Sequence, residues 1–201
     1  MTHVLKAYAR EVRTELDELL GVNVVLREDI QSLLDAYPDN WGHGILQRAL
    51  VRACWAHVDA VVFGLKRITL RAAELGSEPM SADEHKFLLE RSFVVDSSGG
   101  ARKKTEYAET KDNVKRVLKL ACTKFNLGWA PDFSGKEWLE FGQSLELRHR
   151  VTHPKSRADL DIAPEEIELH RRSFLWFSGL FNTLLEKLNE KHGPSQVNAT
   201  A

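Results

Sequence analysis

The sequence predicts an all-α protein made of a single domain. Apolar residues recur at intervals of three and four through most of the 201 residues, which is the period of amphipathic helices. Capping residues, glycines and prolines bound these stretches. The chain contains no internal repeat and no linker rich in proline or glycine. We therefore expect one helical domain at 1–191, followed by a disordered tail at 192–201.

The first half of the chain predicts three helices. Gly21 is expected to end the first, and Pro38 follows the second. The third begins after Gly44 and is apolar on nearly every side, which is typical of the central helix of a bundle. The predicted ranges are 3–20, 23–36 and 44–76.

The second half predicts four more helices. Ser-x-x-Glu capping boxes begin at Ser81 and Ser134, and each indicates a helix N-terminus. His153-Pro154 ends the helix that starts at Ser134, because the residue before a proline avoids the α region. Pro164 is suited to the first position of the last helix. The predicted ranges are 81–91, 111–126, 134–153 and 164–191.

One passage, at 92–109, departs from the helical pattern. Phe93-Val94-Val95 has the composition of a strand, and Ser97-Ser98-Gly99-Gly100 and a basic run follow it. Either a small hairpin or a loop insertion fits this stretch, and the sequence does not decide between them.

Composition excludes several classes of protein. Apolar residues make up 43% of the chain, but no run approaches the roughly 20 that a membrane span needs. The chain starts without a signal-like segment, and Cys54 and Cys122 are too few for a disulfide framework. We expect a soluble cytoplasmic protein without a membrane partner, in which both cysteines and His57 are core residues.

Charge is unevenly distributed, although the net charge is only −1. Residues 1–40 carry a net −4, whereas residues 101–124 carry eight basic and three acidic side chains, a net +5. Residues 148–157 contain four basic side chains and no acid. Such stretches either form solvated surface or together face an anion. Charge alone does not distinguish RNA, DNA or an acidic protein as the partner.

Two polar residues flank the apolar stripe of the helix at 134–153. At 100° per residue, Arg148 and His149 lie on either side of the stripe, and Arg148 is expected to turn toward the interior. Arg150 falls on the opposite side, four residues after Glu146, and a surface ion pair accounts for it. The stripe consists of Trp138, Phe141 and Leu145.

Arg148 is the residue that this helix does not explain. Its neighbours at four residues on either side are Ser144 and Thr152, so no acid on the same helix balances its charge. It therefore either meets an acid from another helix, with Asp59 and Glu74 as candidates, or lines a cleft or interface that an anion approaches.

The run Glu146-Leu-Arg-His-Arg-Val-Thr-His-Pro154 resembles the signature of the HEPN superfamily of small helical proteins, many of which are ribonucleases. That signature is an arginine, a polar residue and, after a spacer, a histidine, with four to six residues between the arginine and the histidine. Arg148, His149 and His153 match these three positions. The resemblance extends over 43–191 and implies a HEPN-like helical bundle.

The resemblance also implies a mechanism. HEPN ribonucleases form dimers whose motifs face each other and cleave RNA without metal or cofactor, the neighbouring 2′-hydroxyl attacking the phosphate. Arg148 would stabilise charge on the phosphate, His153 would act as general acid or base, and His149 would orient the site or contact RNA. Basic residues would follow the RNA backbone: Lys103, Lys104, Lys111, Lys115, Arg116, Lys119, Arg150, Lys155 and Arg157.

Two settings fit such a protein. The resemblance implies a toxin or antiphage-defence ribonuclease, a homodimer whose antitoxin would be a separate protein. A catalytically inactive helical module that binds a protein or nucleic acid through the same surface is the alternative.

A metal site is a weaker hypothesis. His149 and His153 are spaced to bind a metal from one helix face, with Asp159 or Asp161 as the acid. No glycine-rich phosphate loop, Gly-x-Ser-x-Gly elbow or Cys-x-x-Cys motif is present, so nucleotide-binding enzymes and hydrolase triads have no support.

Overall fold

The computed structural model describes residues 3–36, 44–76, 79–95, 101–105 and 109–192. Helices dominate this part of the chain, as predicted. The elements are α1 (His3–Asp35), α2 (Gly44–Leu75), α3 (Ala82–Leu89), β1 (Arg91–Val95), β2 (Ala101–Thr105), α4 (Thr110–Lys124), α5 (Lys136–Thr152), a 3-10 turn (Arg157–Leu160) and α6 (Pro164–His192). The all-α prediction is confirmed.

Helix α2 is the centre of the bundle, as its almost continuous apolar surface predicts. It contacts α1, α3, α4, α5 and α6. Cys54 lies in its buried face, and Cys122 is buried on α4, so both cysteines are core residues. No helix in the described ranges is both long and apolar enough to cross a membrane. The largest fully buried apolar side chains are Phe141, Phe177, Phe181, Leu65, Ile68, Leu118 and Leu184.

The predicted break at Gly21 is wrong, because α1 continues through it as one helix. A glycine inside a helix costs about 1 kcal/mol relative to alanine, which packing of the flanking turns offsets. Leu19 and Ile30 are buried on either side of Gly21. On α2, Gly64 permits close approach, because a Cβ added there would lie 2.5 Å from Leu19 Cδ1.

In the passage that the sequence left open, the described residues form the two strands of a hairpin, and residues 96–100 and 106–108 lie outside the described ranges. β1 and β2 pair antiparallel, with Arg91 opposite Thr105 and Val95 opposite Ala101. The hairpin begins directly after Glu90, whose φ of 52° places it in the left-handed region. This conformation turns the chain from α3 into the first strand.

Lys66 anchors the residue from which the hairpin starts. Its Nζ donates to Glu90 Oε1 at 2.7 Å and to Asn113 Oδ1 at 2.6 Å, and lies 4.3 Å from the centre of the Phe87 ring. The side chain is only 2% exposed, and burial lowers its pKa. This buried lysine therefore joins α2, α3 and α4 at the base of the hairpin.

The two predicted capping boxes have different outcomes. At Ser81 the box is present, since Glu84 N–H donates to Ser81 Oγ and Ser81 N–H donates to Glu84 Oε2. At Ser134 the prediction is wrong: α5 is capped by Gly135, without a side-chain bond. The Ser134 N–H and hydroxyl instead donate to Asp132 Oδ1, which draws the serine into the preceding turn.

The predicted ends of the last two helices are confirmed. His153 is the C-cap of α5, and Pro164 begins α6 with two glutamates in its first turn. Apart from His192, which ends α6, the predicted tail at 192–201 lies outside the described residues.

Candidate active site at the end of helix α5

The buried face of α5 rotates along the helix. Its first turns bury the predicted stripe of Trp138, Phe141 and Leu145, whereas its last turns bury Ser144, Leu147 and Val151. The two faces differ by roughly a third of a revolution. Consequently Arg148 lies at the rim of the core, and His149 is exposed.

Arg148 meets an acid from another helix, and that acid is Asp59. Arg148 Nη2 donates to Asp59 Oδ2 at 3.1 Å. The Arg148 side chain is 25% exposed and that of Asp59 is 47% exposed, so the pair lies at the surface. Glu74, the other candidate, binds Arg71 instead. Partial burial raises the pKa of Asp59, and the Arg148 guanidinium opposes that rise.

The Arg148–Asp59 pair leaves the arginine available for a further ligand. A guanidinium carries five N–H donors, and within the described ranges Asp59 is the acceptor that Arg148 uses. The remaining donors are free to bind a phosphate oxygen from solvent, and a planar fork binds phosphate well. Arg148 is thus oriented by one bond rather than saturated.

His149 and His153 are both exposed near the C-terminus of α5. The His153 N–H donates to the His149 carbonyl at 2.9 Å, so the backbone fixes their spacing. No hydrogen bond to either imidazole ring is found among the residues that the structure describes. Both rings are therefore accessible to a substrate from solvent.

Two arginines of α2, which the sequence did not single out, bind the end of α5 and the 3-10 turn that follows it. Arg52 Nη2 donates to the Val151 carbonyl at 2.7 Å, and Arg48 Nη1 donates to the Leu160 carbonyl at 2.9 Å. With Asp59 they form a polar stripe along one face of the central helix. That polar stripe was the signal in the sequence that could have revealed them.

Arg150 has a structural partner different from the predicted one. Its Nη2 donates to Glu166 Oε1 at 2.7 Å and its Nη1 to the Asp161 carbonyl at 2.9 Å, so the predicted pair with Glu146 is wrong. The first turn of α6 is close enough to supply these acceptors. Glu166 Oε2 also accepts the Ala163 N–H, and the same carboxylate thus joins α5 to the start of α6.

The loop after α5 keeps its basic side chains exposed. Asp159 Oδ2 accepts the backbone N–H groups of Lys155 and Ser156, which lowers the pKa of the aspartate. Lys155 and Arg157 are both exposed, so their charges face solvent beside the end of α5. Asp159, one of the two acids suggested above as metal ligands, therefore already accepts two backbone N–H groups.

The basic residues of α4 do not form one uniform surface. Lys111 reaches α5, where its Nζ lies 4.8 Å from the centre of the Trp138 ring. Arg116 instead binds Asp83 of α3 at 2.6 Å, and Lys119 is exposed. The other predicted RNA-binding residues of this region are Lys115, which is half-buried on α4, and Lys103 and Lys104, which belong to β2.

Two buried histidines are structural. His57 Nε2 bonds Asn23 Oδ1 at 2.8 Å, which confirms His57 as a core histidine. His170 Nδ1 and Ser144 Oγ are hydrogen-bonded at 2.7 Å. A serine paired with a histidine could act as nucleophile and base, but each of these residues is only 1% exposed. Burial lowers the pKa of both imidazoles to about 4. A substrate has no access to this serine.

Within the described ranges, no three histidine, cysteine, aspartate or glutamate side chains are grouped as a metal ion would require. Comparison of the chain with protein-family models, with curated proteins and with solved structures finds no match.

Proposed function

We propose that this protein is a metal-independent endoribonuclease of the HEPN type that acts as a dimer. One observation carries the proposal. Arg148, oriented by a single bond to half-exposed Asp59, lies in the last turns of a helix that ends at exposed His153. An oriented cation and an accessible acid–base group are what cleavage of a phosphodiester requires.

The chemistry follows from these groups. The 2′-hydroxyl of RNA attacks the adjacent phosphorus, a new P–O2′ bond forms, and the P–O5′ bond breaks. Arg148 stabilises the negative charge that grows on the non-bridging oxygens. His153 transfers a proton, either from the 2′-hydroxyl or to the departing 5′-oxygen. The products are a 2′,3′-cyclic phosphate and a 5′-hydroxyl, so atoms and protons balance.

A second copy completes the proton transfers. The reaction needs a base for one oxygen and an acid for the other, and a twin His153 supplies the second group. The surface for this contact is the exposed face of α2 beside Arg148, where Phe63 is 54% exposed. Ala56 and Asp59 are exposed on the same face. Large exposed aromatic side chains next to a charged pair are typical of interfaces.

Cleavage of RNA in EDTA tests the proposal. We expect the wild-type protein to cleave, and Arg148→Ala and His153→Ala each to lower the rate by about 100-fold or more. Arg13→Ala is the matched control, because Arg13 also forms a surface ion pair, with Asp17. Cleavage that EDTA abolishes would contradict the metal-free mechanism, and inertness of all proteins would favour the silent binding module.

The same variants test the setting of a toxin or defence ribonuclease. If the proposal is correct, inducible expression of the wild type arrests bacterial growth and degrades RNA, and expression of His153→Ala does neither. A separate antitoxin would then be recovered as a suppressor of the arrest. Growth arrest by both proteins would show that toxicity does not depend on the site.

A further inference from the structure

We propose that the groove between α4 and α5 binds one nucleotide of the RNA beside the cleaved phosphate, and that Glu146 selects guanine there. This inference rests on the proposed function and adds a base preference to it. The groove, called here the α4–α5 groove, is lined by Glu109, Thr110, Lys111, Leu139, Gly142, Gln143, Leu145, Glu146 and His149.

The α4–α5 groove borders the candidate active site at His149. Its lining includes His149, one residue beyond Arg148, and it follows α5 back toward Leu139. Its volume of about 800 Å³ falls in the usual range of small-ligand pockets, roughly 300–1,000 Å³. An RNA strand that passes His149 at the end of α5 therefore has room for one nucleotide in this groove.

Lys111 supplies the phosphate contact within the groove. A Cβ at Gly142 would lie 2.8 Å from Lys111 Nζ. The absence of a side chain at residue 142 therefore lets the lysine amine lie against the surface of α5. There its ammonium lies near the Trp138 ring. In the part of the chain that the structure describes, no carboxylate forms a salt bridge with Lys111, so its charge is available to an anion.

The rest of the lining suits a base better than a second phosphate. Leu139 is 63% exposed and offers an apolar surface on which a base can pack. Glu109 and Glu146 place negative charge in the same groove and would repel a backbone phosphate. Carboxylates accept N–H groups, and in RNA only the bases provide these donors.

Guanine is the base that fits one carboxylate best. Its Watson–Crick edge carries two neighbouring donors, N1–H and the N2 amino group, which match the two oxygens of Glu146. Adenine, cytosine and uracil each present a single N–H donor group on that edge. Gln143, three residues earlier on α5, lies on the same side of the helix and can donate to guanine O6.

Binding of RNA that cannot be cleaved tests the groove separately from catalysis. The probes are fully 2′-O-methylated heptamers, one of uridine alone and one with a central guanosine, measured by fluorescence anisotropy. We expect wild type to bind the guanosine probe about tenfold more tightly. Glu146→Gln should lose this preference, whereas Glu186→Gln, at an exposed glutamate of α6, should keep it.

Lys111→Gln adds a second readout. It should weaken both probes equally and reduce the slope of log K against log salt by roughly 0.7, the value for one lost phosphate contact on a single strand. Equal binding of the two probes by wild type, no binding, or a preference retained in Glu146→Gln would overturn the inference. A protein that prefers guanosine but never cleaves RNA would overturn the proposed function alone, and one that cleaves without preference would overturn the groove alone.

Discussion

Arg148 Nη2 lies 3.1 Å from Asp59 Oδ2, across 89 residues of sequence. This contact connects the central helix to the helix that carries the candidate motif. Because both side chains are partly exposed, the pair orients the arginine without enclosing it. Asp59 is therefore a positioning residue in the proposed site. Its contribution to catalysis can be measured separately from that of Arg148.

Asp59→Asn tests the positioning role. The amide oxygen still accepts a hydrogen bond, but the charge that attracts the guanidinium is lost, so RNA cleavage should fall about tenfold, less than in Arg148→Ala. Stability should change by less than about 1 kcal/mol, because exposed ion pairs contribute little. Cleavage rates and urea unfolding measure the two effects, with Asp17→Asn as the control. A loss of stability without a loss of cleavage would contradict positioning.

Lys66→Ala should destabilise the fold. The substitution leaves a cavity, removes the cation that Glu90 binds and removes one donor to Asn113. We expect a loss of roughly 2–4 kcal/mol in the free energy of unfolding by urea. Lys187→Ala, which breaks an exposed pair with Glu190, should change it by about 0.5 kcal/mol or less. Similar values for the two variants would show that the buried cluster does not anchor the fold.

Acid should destabilise the protein through the buried histidines His57 and His170. The pKa of His57 and of His170 falls from 6.5 to about 4 on folding. The unfolded chain therefore binds more protons than the folded one between these values, and stability is lost as the pH falls from 6.5 to about 4. Each histidine contributes a loss of up to roughly 3 kcal/mol.

Thermal unfolding across that pH range measures this effect. His170→Gln should flatten the dependence by about half, because glutamine does not titrate. Its amide can keep the bond to Ser144, which limits the cost at neutral pH. A pH dependence identical to that of the wild type would show that His170 does not stay neutral in the folded state.

Gly64→Ala should overpack the contact between α1 and α2. The new Cβ would lie 2.5 Å from Leu19 Cδ1, and such a clash costs about 1–3 kcal/mol. The matched controls are Gly21→Ala and Gly179→Ala, where nothing lies within 4 Å of the new Cβ. Both controls should raise stability by about 0.5–1 kcal/mol, because alanine favours the helix. Urea unfolding that ranks Gly64→Ala with the controls would contradict close packing there.

Local patterns predicted most of the fold. The apolar period located the helices, the capping box at Ser81 located the start of α3, and His153-Pro154 located the end of α5. The predicted helix end at Gly21 was wrong because the low helix propensity of glycine affects a single residue, whereas the packing of α1 against α2 stabilises the whole helix. The predicted capping box at Ser134 was wrong because the serine hydroxyl donates to Asp132 instead of capping α5.

The candidate site was less predictable because its contacts are distant in sequence. Arg148 and His153 were predicted from the motif, but a sequence cannot choose between Asp59 and Glu74 as a partner. The rotation of the buried face of α5 depends on tertiary packing, and a helical wheel drawn from its first turns does not show which face is buried at its end. The polar stripe on α2 that includes Arg52 is visible in the sequence, but its acceptor, the Val151 carbonyl of α5, is set by tertiary packing.

The ends of the cleaved RNA test the central claim most directly. Wild-type protein incubated with RNA in EDTA should leave 2′,3′-cyclic phosphate and 5′-hydroxyl ends, identified by mass spectrometry, and His153→Ala should leave the RNA intact. Fragments that carry 5′-phosphate ends, or cleavage that persists in His153→Ala, would contradict the proposed reaction at the end of α5.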